Sequence, residues 1–234
     1  MQRSLKQIPD ATVHRLSLYY RVLDILEQNH VETTSSQRIG SIEGIAGAQV
    51  RRDLSHFGSF GKRGVGYNVT SLKREISKIL GFDWTWKIAL IGAVQFSTVL
   101  MNSSIFRKKN FIITKIFDNT PGLIGRKIGN ITISDMQNLE KELDIKKVDL
   151  AIVAVPPPEV QSIIDRLGKI GIKGILYFAS RSINVPKDLV VRNQDISIEL
   201  GTITFHITHK SGNKKRRRPH KVIKRKAVHK KLKK

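Results

Sequence analysis

The first part of the chain carries apolar side chains at helical spacing. Over residues 11–28 they fall mostly three or four positions apart, which places them on one face of an amphipathic helix. They are Leu16, Leu18, Tyr19, Leu23, Ile25 and Leu26. Asp10 is a candidate N-cap, because its carboxylate can accept a hydrogen bond from a free N–H of the first turn. The pattern predicts the first helix of a three-helix core.

Two shorter helices follow. A hydroxyl side chain at one of positions 34–36 can cap the second helix, which is predicted to run to about Glu43 before Gly44 ends it. Ile39 and Ile42 are expected to point inward. A third helix over residues 46–56 is predicted to bury its apolar face and to leave its polar side chains outward. The buried pair is Val50 and Leu54, and the outward set is Gln49, Arg51, Arg52, Asp53 and Ser55.

A glycine-rich loop comes directly after the third helix. Its glycines at 58, 61, 64 and 66 permit positive φ and a tight β-turn. Lys62, Arg63 and Tyr67 lie among and after them. A basic helix beside a basic glycine loop is typical of a winged helix-turn-helix, in which the recognition helix enters the major groove. The sequence therefore predicts DNA contacts from Gln49, Arg51, Arg52, Ser55, Lys62, Arg63 and Tyr67; solvated surface charge is the alternative.

The remainder of the chain alternates apolar runs with helical patterns. A fourth helix over 71–80 and a linker over 81–86 precede it. Strands are predicted over 87–91, 111–117, 148–155 and 174–178, and helices over 94–106, 134–143 and 158–170. Unbroken runs such as LAIVAV suit strands that are buried on both faces. The pattern predicts an α/β fold with a Rossmann-like, doubly wound parallel sheet.

Residues 196–207 show a different pattern. Apolar and polar positions largely alternate in ISIELGTITFHI, and several of its residues are β-branched. Alternation and β-branching both favour a strand. From the residues alone, this segment is predicted to be a strand.

Charge adds a candidate partner. The chain of 234 residues has a formal net charge of +23, but residues 210–234 hold 14 Lys/Arg and no acid, which leaves 28 − 19 = +9 elsewhere. A basic body favours a polyanion, since each neutralised phosphate releases counterions. The tail is expected to be disordered by like-charge repulsion and to contact nucleic acid nonspecifically, unless it is a functionless extension. Its removal should flatten the salt dependence of DNA binding.

Other composition features narrow the class of protein. The chain has 40% hydrophobic residues, enough for two modest domains, and no cysteine, which excludes disulfides and thiolate metal sites. No metal site is expected. The N-terminal sequence lacks a signal-peptide core, and no apolar run approaches the roughly 18 residues of a membrane helix. A soluble, cytoplasmic protein is expected.

Four segments match one protein family in the same order along the chain: IPDATVHRLSLYYR, SSQRIG, QVRRDLSHFGSFGKRGVGYNV and KGILYFASRSINVP. Through them, residues 8–209 resemble the bacterial redox-sensing transcriptional repressors of the Rex family. The resemblance implies a homodimer that binds operator DNA, in which NADH closes the dimer and releases the DNA while NAD+ competes without doing so. It also implies a winged helix over 1–84, an NAD(H)-sensing domain over 85–194, an exchanged helix over 195–209 in place of the strand, and a tail over 210–234.

The first turn of the sheet departs from the dinucleotide pattern. A GxGxxG turn uses glycines to bend, to let the backbone approach pyrophosphate, and to pack helix on strand. Only the first glycine is present, because valine and serine replace the other two. The six residues are Gly92, Ala93, Val94, Gln95, Phe96 and Ser97.

Other residues of the expected NAD(H) site lie at strand ends. Asp118 follows the second strand, where its carboxylate can accept from ribose hydroxyls or cap the turn over 119–122. Val155 and Pro156 end the third strand, either beside the nicotinamide or as a simple strand terminator.

The resemblance also implies a coupling pair between the domains, formed by Arg21 and Asp195. A tyrosine that accompanies this pair in the family is Ser103 in this chain. The local alternatives are an exposed helix arginine and an N-cap aspartate.

Three functions stay open at this point. The chain is either an NADH-responsive repressor or a Rex-like DNA-binding regulator that has lost its sensor. An NAD-dependent dehydrogenase is a third alternative, although no convincing acid/base pair supports it. His206 and His209 lie near the end, and His14, His30 and His56 belong to the DNA-binding half. We expect no enzymatic activity.

Overall fold

A computed structural model describes the chain in two units, Met1–Gln194 and Asp195–Lys234. The described residues are 8–62, 64–92, 94–180 and 182–210, without the side chains of 94–96, 105 and 210. Within these residues, no helix is both long enough and apolar enough to cross a membrane.

The first unit begins with a winged helix. Its elements are α1 (Asp10–Gln28), β1 (Thr33–Thr34), α2 (Ser36–Ile42), α3 (Gly47–Ser55), β2 (Tyr67–Asn68) and α4 (Val69–Leu80). β1 and β2 pair antiparallel, with Thr34 opposite Tyr67. The core is formed by the apolar faces of the four helices, including fully buried Leu16, Leu23 and Ile76. The helical spacing of the sequence therefore did locate these helices.

Details of the helix ends differ from the prediction. Pro9 is the N-cap of α1 and Asp10 is its first helical residue, so the prediction of an Asp10 cap was wrong. α2 is capped by Ser35, whose side chain accepts from the backbone N–H of Arg38. Ile42 ends this helix with 49% of its surface exposed, which corrects the prediction that it points inward. Ile42 is the last residue of α2, and the buried part of this helix ends at Gly40.

The second part of this unit is a seven-stranded sheet with helices on both faces. The strands are β3 (Trp86–Ile91), β4 (Phe111–Asp118), β5 (Lys127–Ile128), β6 (Ile131–Asp135), β7 (Leu150–Val153), β8 (Gly174–Tyr177) and β9 (Val190–Asn193). Their order is β5-β6-β4-β3-β7-β8-β9, and every neighbouring pair is parallel except β5 and β6. The helices are α5 (Val94–Asn102), α6 (Ser104–Lys108), α7 (Leu139–Glu142) and α8 (Val160–Ile170).

Side-chain alternation along β3 explains the double winding. Ile88 and Leu90 pack in one apolar cluster together with Leu100 of α5 and Phe106 of α6. Ala89 and Ile91 pack in another, which contains the buried face of α8. Because both faces of the central strand are covered, its sequence is continuously apolar from Ile88 to Ile91. The predicted doubly wound, Rossmann-like parallel sheet is confirmed.

Several element boundaries were predicted wrongly. The helix expected over 94–106 is two helices, α5 and α6. Within residues 134–143, where one helix was expected, only α7 is α-helical. There, β6 continues to Asp135, which caps a 3-10 turn by accepting from the backbone N–H of Gln137 at 2.8 Å. The strand predicted over 148–155 is shorter, and β5, β6 and β9 were not predicted. β6 and β9 pair with β4 and β8 across 16 or 17 positions, so local pattern gave no signal for those pairings. β5 and β6 form a tight hairpin, with Ile128 opposite Ile131, which the pattern reading missed.

The winged helix and the sheet meet around Phe82. Its ring packs edge-on against Tyr20 of α1 at 5.1 Å and against Phe111 of β4 at 6.1 Å. The backbone oxygen of Phe82 accepts from Asn110 Nδ2 at 2.7 Å. Lys109 Nζ lies 4.7 Å from the centre of the Phe82 ring. The segment predicted as a linker is thus part of a packed aromatic junction, and Trp86 at its end already belongs to β3.

The second unit contains α9 (Ile196–Lys210), a helix where alternation predicted a strand. The strand prediction was wrong, and the helix implied by the Rex resemblance is the observed structure. Ile196, Leu200, Ile203 and Ile207 are spaced four, three and four residues apart, so the segment also satisfies helical periodicity. The expected tail beyond residue 210 lies outside the described residues.

Candidate functional site

The recognition helix α3 and the wing, which is the glycine-rich loop over residues 58–67, line one cleft of about 600 Å³. Among the predicted DNA contacts, Arg51 and Ser55 line it from α3, and Lys62 and Tyr67 line it from the wing. Arg63 lies outside the described residues. The fold therefore brings together residues that the sequence separates by up to sixteen positions.

Arg51 is held in place by Ser36, which the sequence had offered only as a candidate cap of the second helix. Its Nη1 donates to Ser36 Oγ at 2.7 Å, and Ser36 is 5% exposed at the start of α2. Burial raises the pKa of Tyr67, and the positive charge of Arg51 opposes that rise. The hydrogen bond to Ser36 thus fixes the Arg51 side chain against α2. The charge of Arg51 lies close enough to Tyr67 to affect its pKa.

The wing turns at Lys62–Gly66. Lys62 and Gly66 exchange two backbone hydrogen bonds, both of 3.0 Å. Gly66 has φ +97°, and a Cβ at this position would lie 2.4 Å from the backbone oxygen of Thr34. Only glycine meets both demands, because an L side chain is strained at this φ and would collide with β1. The expected tight glycine turn is present and places Lys62 at the cleft.

Asp53 lies inside the winged helix, which corrects the prediction that it points outward. It is 1% exposed, and its carboxylate receives Arg15 Nε at 2.6 Å and Nη2 at 2.8 Å. Tyr19 Oη donates to the same carboxylate at 2.7 Å. Burial alone would raise the pKa of Asp53, but hydrogen bonds from Arg15, Tyr19 and Gln49 hold it below its usual value. This ionic cluster fastens α3 to α1.

The other predicted helix contacts differ in their surroundings. Gln49 is partly buried, and its Nε2 donates to Asp53 Oδ1 at 2.8 Å. Arg52 is exposed, and its backbone oxygen accepts from Ser55 Oγ at 2.7 Å. Gln49 and Arg52 are not among the residues that line the cleft. They occupy different parts of the α3 surface from Arg51.

The turn after β3 has the geometry of the first glycine in a dinucleotide fold. Gly92 has φ +76°, and its backbone N–H donates to the oxygen of Phe117 at 2.7 Å. A Cβ on Gly92 would lie 2.6 Å from the oxygen of Ala154 and 2.8 Å from Val155 Cγ1. The turn sits where β3 has β4 on one side and β7 on the other. In open α/β sheets this reversal of strand order is where ligands bind, at the carboxyl ends of the strands.

The rest of the six-residue turn is described only in part. Ala93 lies outside the described residues, as do the side chains of Val94, Gln95 and Phe96, although α5 begins at Val94. Ser97 is fully buried. A small buried residue in the place of the third glycine fits that glycine's purpose, which is close packing of helix against strand.

Three further predicted ligand residues lie at strand ends. Asp118 is 5% exposed at the end of β4, and its Oδ1 accepts from the backbone N–H of Thr120 at 2.9 Å. The turn-capping contact considered from the sequence is therefore present. It leaves further acceptor capacity, since a carboxylate has about four lone-pair sites. Val155 is buried beside Gly92, whereas Pro156 is exposed and its oxygen accepts from Glu159 N at 2.9 Å, ahead of α8.

Each of the two predicted coupling residues has a contact within its own unit. Arg21 pairs with Glu43 beyond α2, with Nη2–Oε2 at 2.6 Å and Nε–Oε1 at 3.2 Å. Asp195 Oδ1 accepts from Ser197 N at 2.9 Å at the start of α9. Ser103 is a half-buried residue between α5 and α6. Sequence reasoning missed Glu43, and no local pattern marks it, because it meets Arg21 across 22 positions.

Two family models match the chain. One is described as a putative DNA-binding protein N-terminus and matches residues 7–55, within the winged helix. The other is described as a CoA binding domain and matches residues 83–181, over most of the parallel sheet.

Relatives extend the match over most of the chain. The redox-sensing transcriptional repressor Rex of Desulfitobacterium hafniense is 40% identical over 86% of this chain and 96% of its own length. Rex of Carboxydothermus hydrogenoformans is 41% identical over 86% of this chain and 97% of its own.

Solved structures agree. A crystal structure of RSP with β-NAD+ and operator DNA has a TM-score of 0.80 at 33% identity, covering 89% of this chain and 95% of that one. RSP with β-NADH has a TM-score of 0.79 at 32% identity, covering 89% and 97%. This chain belongs to the Rex family of redox-sensing transcriptional repressors.

Proposed function

We propose that this protein is a transcriptional repressor that binds operator DNA and responds to the cellular ratio of NADH to NAD+. The observation that carries the proposal is the pairing, within one unit, of a recognition helix and wing around a shared cleft with a glycine turn at the switch point of a parallel sheet. A dehydrogenase has no use for the first of these parts, and the family consists of repressors. The protein is a regulator, not an enzyme.

In this proposal the cleft between α3 and the wing faces the DNA. Arg52 is exposed and reaches base edges or phosphates, while Arg51, fixed on Ser36, contacts DNA from a defined position. Lys62 and Arg63 hold the wing to the backbone or minor groove, and Tyr67 and Ser55 complete the surface. Loss of one bidentate base contact costs about 1–3 kcal/mol.

NAD(H) is the proposed regulatory ligand of the turn after β3. Gly92 lets the backbone approach the pyrophosphate, Ser97 packs α5 on β3, and Asp118 accepts from the adenosine ribose. Val155 and Pro156 lie on the nicotinamide side. The dinucleotide itself supplies the redox state that is sensed, and the residues of the chain bind and orient it.

One sequence feature favours a repressor that does not sense NADH: Val94 stands in the place of the second glycine. If the valine blocks NADH, the sheet serves as a dimerisation scaffold and repression does not respond to it. Val94→Gly then gains affinity for NADH, by about tenfold or more, which corresponds to about 1.4 kcal/mol. Tryptophan-to-NADH energy transfer in wild type and variant measures this gain; equal affinities would show that the valine is no obstacle.

A homodimer is the proposed functional form. α9 exposes six large apolar side chains, between 53% and 65% of their surface, which a lone helix does not bury. They are Ile196, Ile198, Leu200, Ile203, Phe205 and Ile207. Exchange of α9 between two copies buries them, and Arg21 of one copy then reports ligand binding through Asp195 of the other. The cytoplasm is the proposed location.

The decisive experiment measures operator binding against dinucleotide concentration. Fluorescence anisotropy of labelled palindromic DNA is followed with purified full-length protein, first with operator and scrambled duplexes, then with NADH and NAD+ added. We expect preference for the operator and release by NADH alone. Equal affinity for both duplexes would rule out operator-specific repression. Retention of the operator at millimolar NADH would rule out only the sensing of NADH.

A further inference from the structure

The contact between Gln49 and Asp53 fixes which end of an amide faces outward on the recognition helix. Gln49 is the third residue of α3, and its Nε2 lies 2.8 Å from Asp53 Oδ1. An ionised carboxylate can only accept hydrogen bonds, whereas an amide has a donor end and an acceptor end. The nitrogen of Gln49 must therefore face Asp53, and its oxygen Oε1 must face away.

The rest of the cluster keeps this carboxylate ionised and in one place. Arg15 donates to both oxygens of Asp53, and Tyr19 donates to Oδ2. Thr12 Oγ1 also lies 3.4 Å from Oδ1. Three side chains besides Gln49 thus determine the position of an acceptor that is 1% exposed. A flip of the Gln49 amide would set oxygen against oxygen, which this buried site disfavours strongly.

The place of Gln49 on the helix puts this orientation at the DNA. Recognition helices contact base edges with their N-terminal residues. Gln49 lies in the first turn of α3 and is only partly buried, so one end of its amide remains accessible. That end presents an acceptor oxygen and, beside it, the second hydrogen of the nitrogen.

We propose that Asp53 is a positioning residue that orients Gln49 to accept a hydrogen bond from an exocyclic amino group of a base, adenine N6 or cytosine N4, in the major groove. The inference rests on the proposed DNA-binding function and adds the chemistry of one base contact. A free glutamine can turn either end to a base. A glutamine held by Asp53 selects against positions where the same place in the groove holds guanine O6 or thymine O4, which are acceptors.

Base analogues test the proposal directly. Operators are made in which one adenine is replaced by purine, or one cytosine by 2-pyrimidinone, so that a single amino group is removed. The panel is bound to wild type and to Gln49→Ala. At one position in each half-site, removal of the amino group is expected to weaken wild-type binding about tenfold and to leave Gln49→Ala unchanged. This coupling between side chain and amino group cancels any effect of the analogue on the duplex itself.

Two further variants separate positioning from stability. Asp53→Asn offers Gln49 either a donor or an acceptor, so sensitivity to the amino group is expected to fall below about threefold. Tyr19→Phe removes a different hydrogen bond to the same carboxylate and leaves the Gln49 contact. It is expected to weaken binding to all operators alike and to keep the tenfold sensitivity. Circular dichroism verifies that each variant is folded.

The outcomes are distinct. Amino-group sensitivity that depends on Gln49 supports the proposal, and this result needs only wild type and Gln49→Ala if Asp53→Asn does not fold. The proposal is overturned if no amino group couples to Gln49, if coupling appears only on replacing purine N7 by carbon, or if a folded Asp53→Asn keeps full sensitivity. Equal wild-type affinity for operator and scrambled DNA would instead overturn the repressor function, which the same titrations reveal first.

Discussion

The recognition helix and the first turn of the sheet are held by different kinds of atoms. α3 is fastened by side chains, through the Arg15–Asp53 ion pair and the Arg51–Ser36 hydrogen bond, which span 38 and 15 positions. The turn at Gly92 is shaped by backbone, through the Phe117 and Ala154 oxygens. A side-chain anchor fails when a partner is removed, whereas a backbone turn fails when atoms are added. In α3, substitutions that remove side-chain atoms should therefore have the largest effects, whereas at Gly92 it is the addition of atoms that should.

The largest expected effect is the loss of the side-chain anchor. Asp53→Ala leaves the guanidinium of Arg15 near the core without its partner, and removal of one partner of a buried ion pair costs about 3–5 kcal/mol. Urea unfolding of the full chain measures the loss. Glu75→Ala, at an exposed pair with Lys78 on α4, is the matched control and should change stability by less than about 1 kcal/mol. Equal losses in the two variants would contradict an anchoring role for Asp53.

The same anchor makes stability depend on pH. Asp53 has a pKa below its ordinary value in the folded protein, so its contribution is fully present above about pH 4, the unfolded value. The contribution is lost as the pH falls through the folded pKa. The melting temperature of wild type should drop more between pH 5 and pH 3 than that of Asp53→Asn. Parallel curves would show that Asp53 does not contribute through its charge.

The next largest effects are expected from two glycine substitutions, one in the wing and one in the turn after β3. Gly66→Ala should cost about 2 kcal/mol locally and weaken operator binding without changing NADH affinity, because it forces the wing away from Thr34. Gly92→Ala should weaken NADH binding without changing operator affinity, because its Cβ would meet the backbone oxygen of Ala154. Anisotropy with operator DNA and NADH titration measure both.

The controls for this pair are glycines with positive φ but open surroundings. Gly64 in the wing and Gly125 in the turn before β5 have φ +80° and +82°, and a Cβ on either meets no atom within 4 Å. Their alanine variants carry the φ strain without the collision. If Gly64→Ala weakens operator binding as much as Gly66→Ala does, the contact with Thr34 is not the cause.

The smallest effect is expected at the Arg21–Glu43 pair. In the proposed dimer, Arg21 connects the winged helix to the NAD(H) site through Asp195 of the other copy. Glu43→Gln should lower stability by no more than about 1 kcal/mol, because Arg21 is 60% exposed. It should also shift the NADH concentration that releases half of the operator, by up to about fivefold, since Arg21 becomes available to Asp195. Asp195→Asn should abolish this shift. A shift that persists in the double variant would show that Glu43 acts by another route.

Local pattern was informative wherever local structure decides the outcome. The periodicity of α1 and α3, the Ser35 cap and the glycine turns of the wing could all be predicted, because the contacts that form them lie within a few residues. The same holds for Gly92, whose turn follows directly from a buried strand. The Rex resemblance added helix α9, which the alternation of residues 196–207 had predicted as a strand.

Burial of polar side chains could not be predicted in this way. Asp53 stands between Arg52 and Leu54 in a basic helix, and its spacing suggested an outward acid beside the DNA. It is buried because Arg15 and Tyr19 of α1 reach it from 34 and more positions away. A buried charge depends on having a partner, and no window of sequence contains both.

The sequence by itself determined the helices of the winged helix, the central strands of the parallel sheet, the family, and the residue types that we propose to meet DNA and dinucleotide. Tertiary structure alone decided which of those side chains are free and which are held: Gln49 by Asp53, Arg51 by Ser36 and Arg21 by Glu43. The physical reason is range. Periodicity and turn chemistry act between neighbours in the chain, whereas the orientation of a polar side chain is set by whichever donor or acceptor the fold brings beside it.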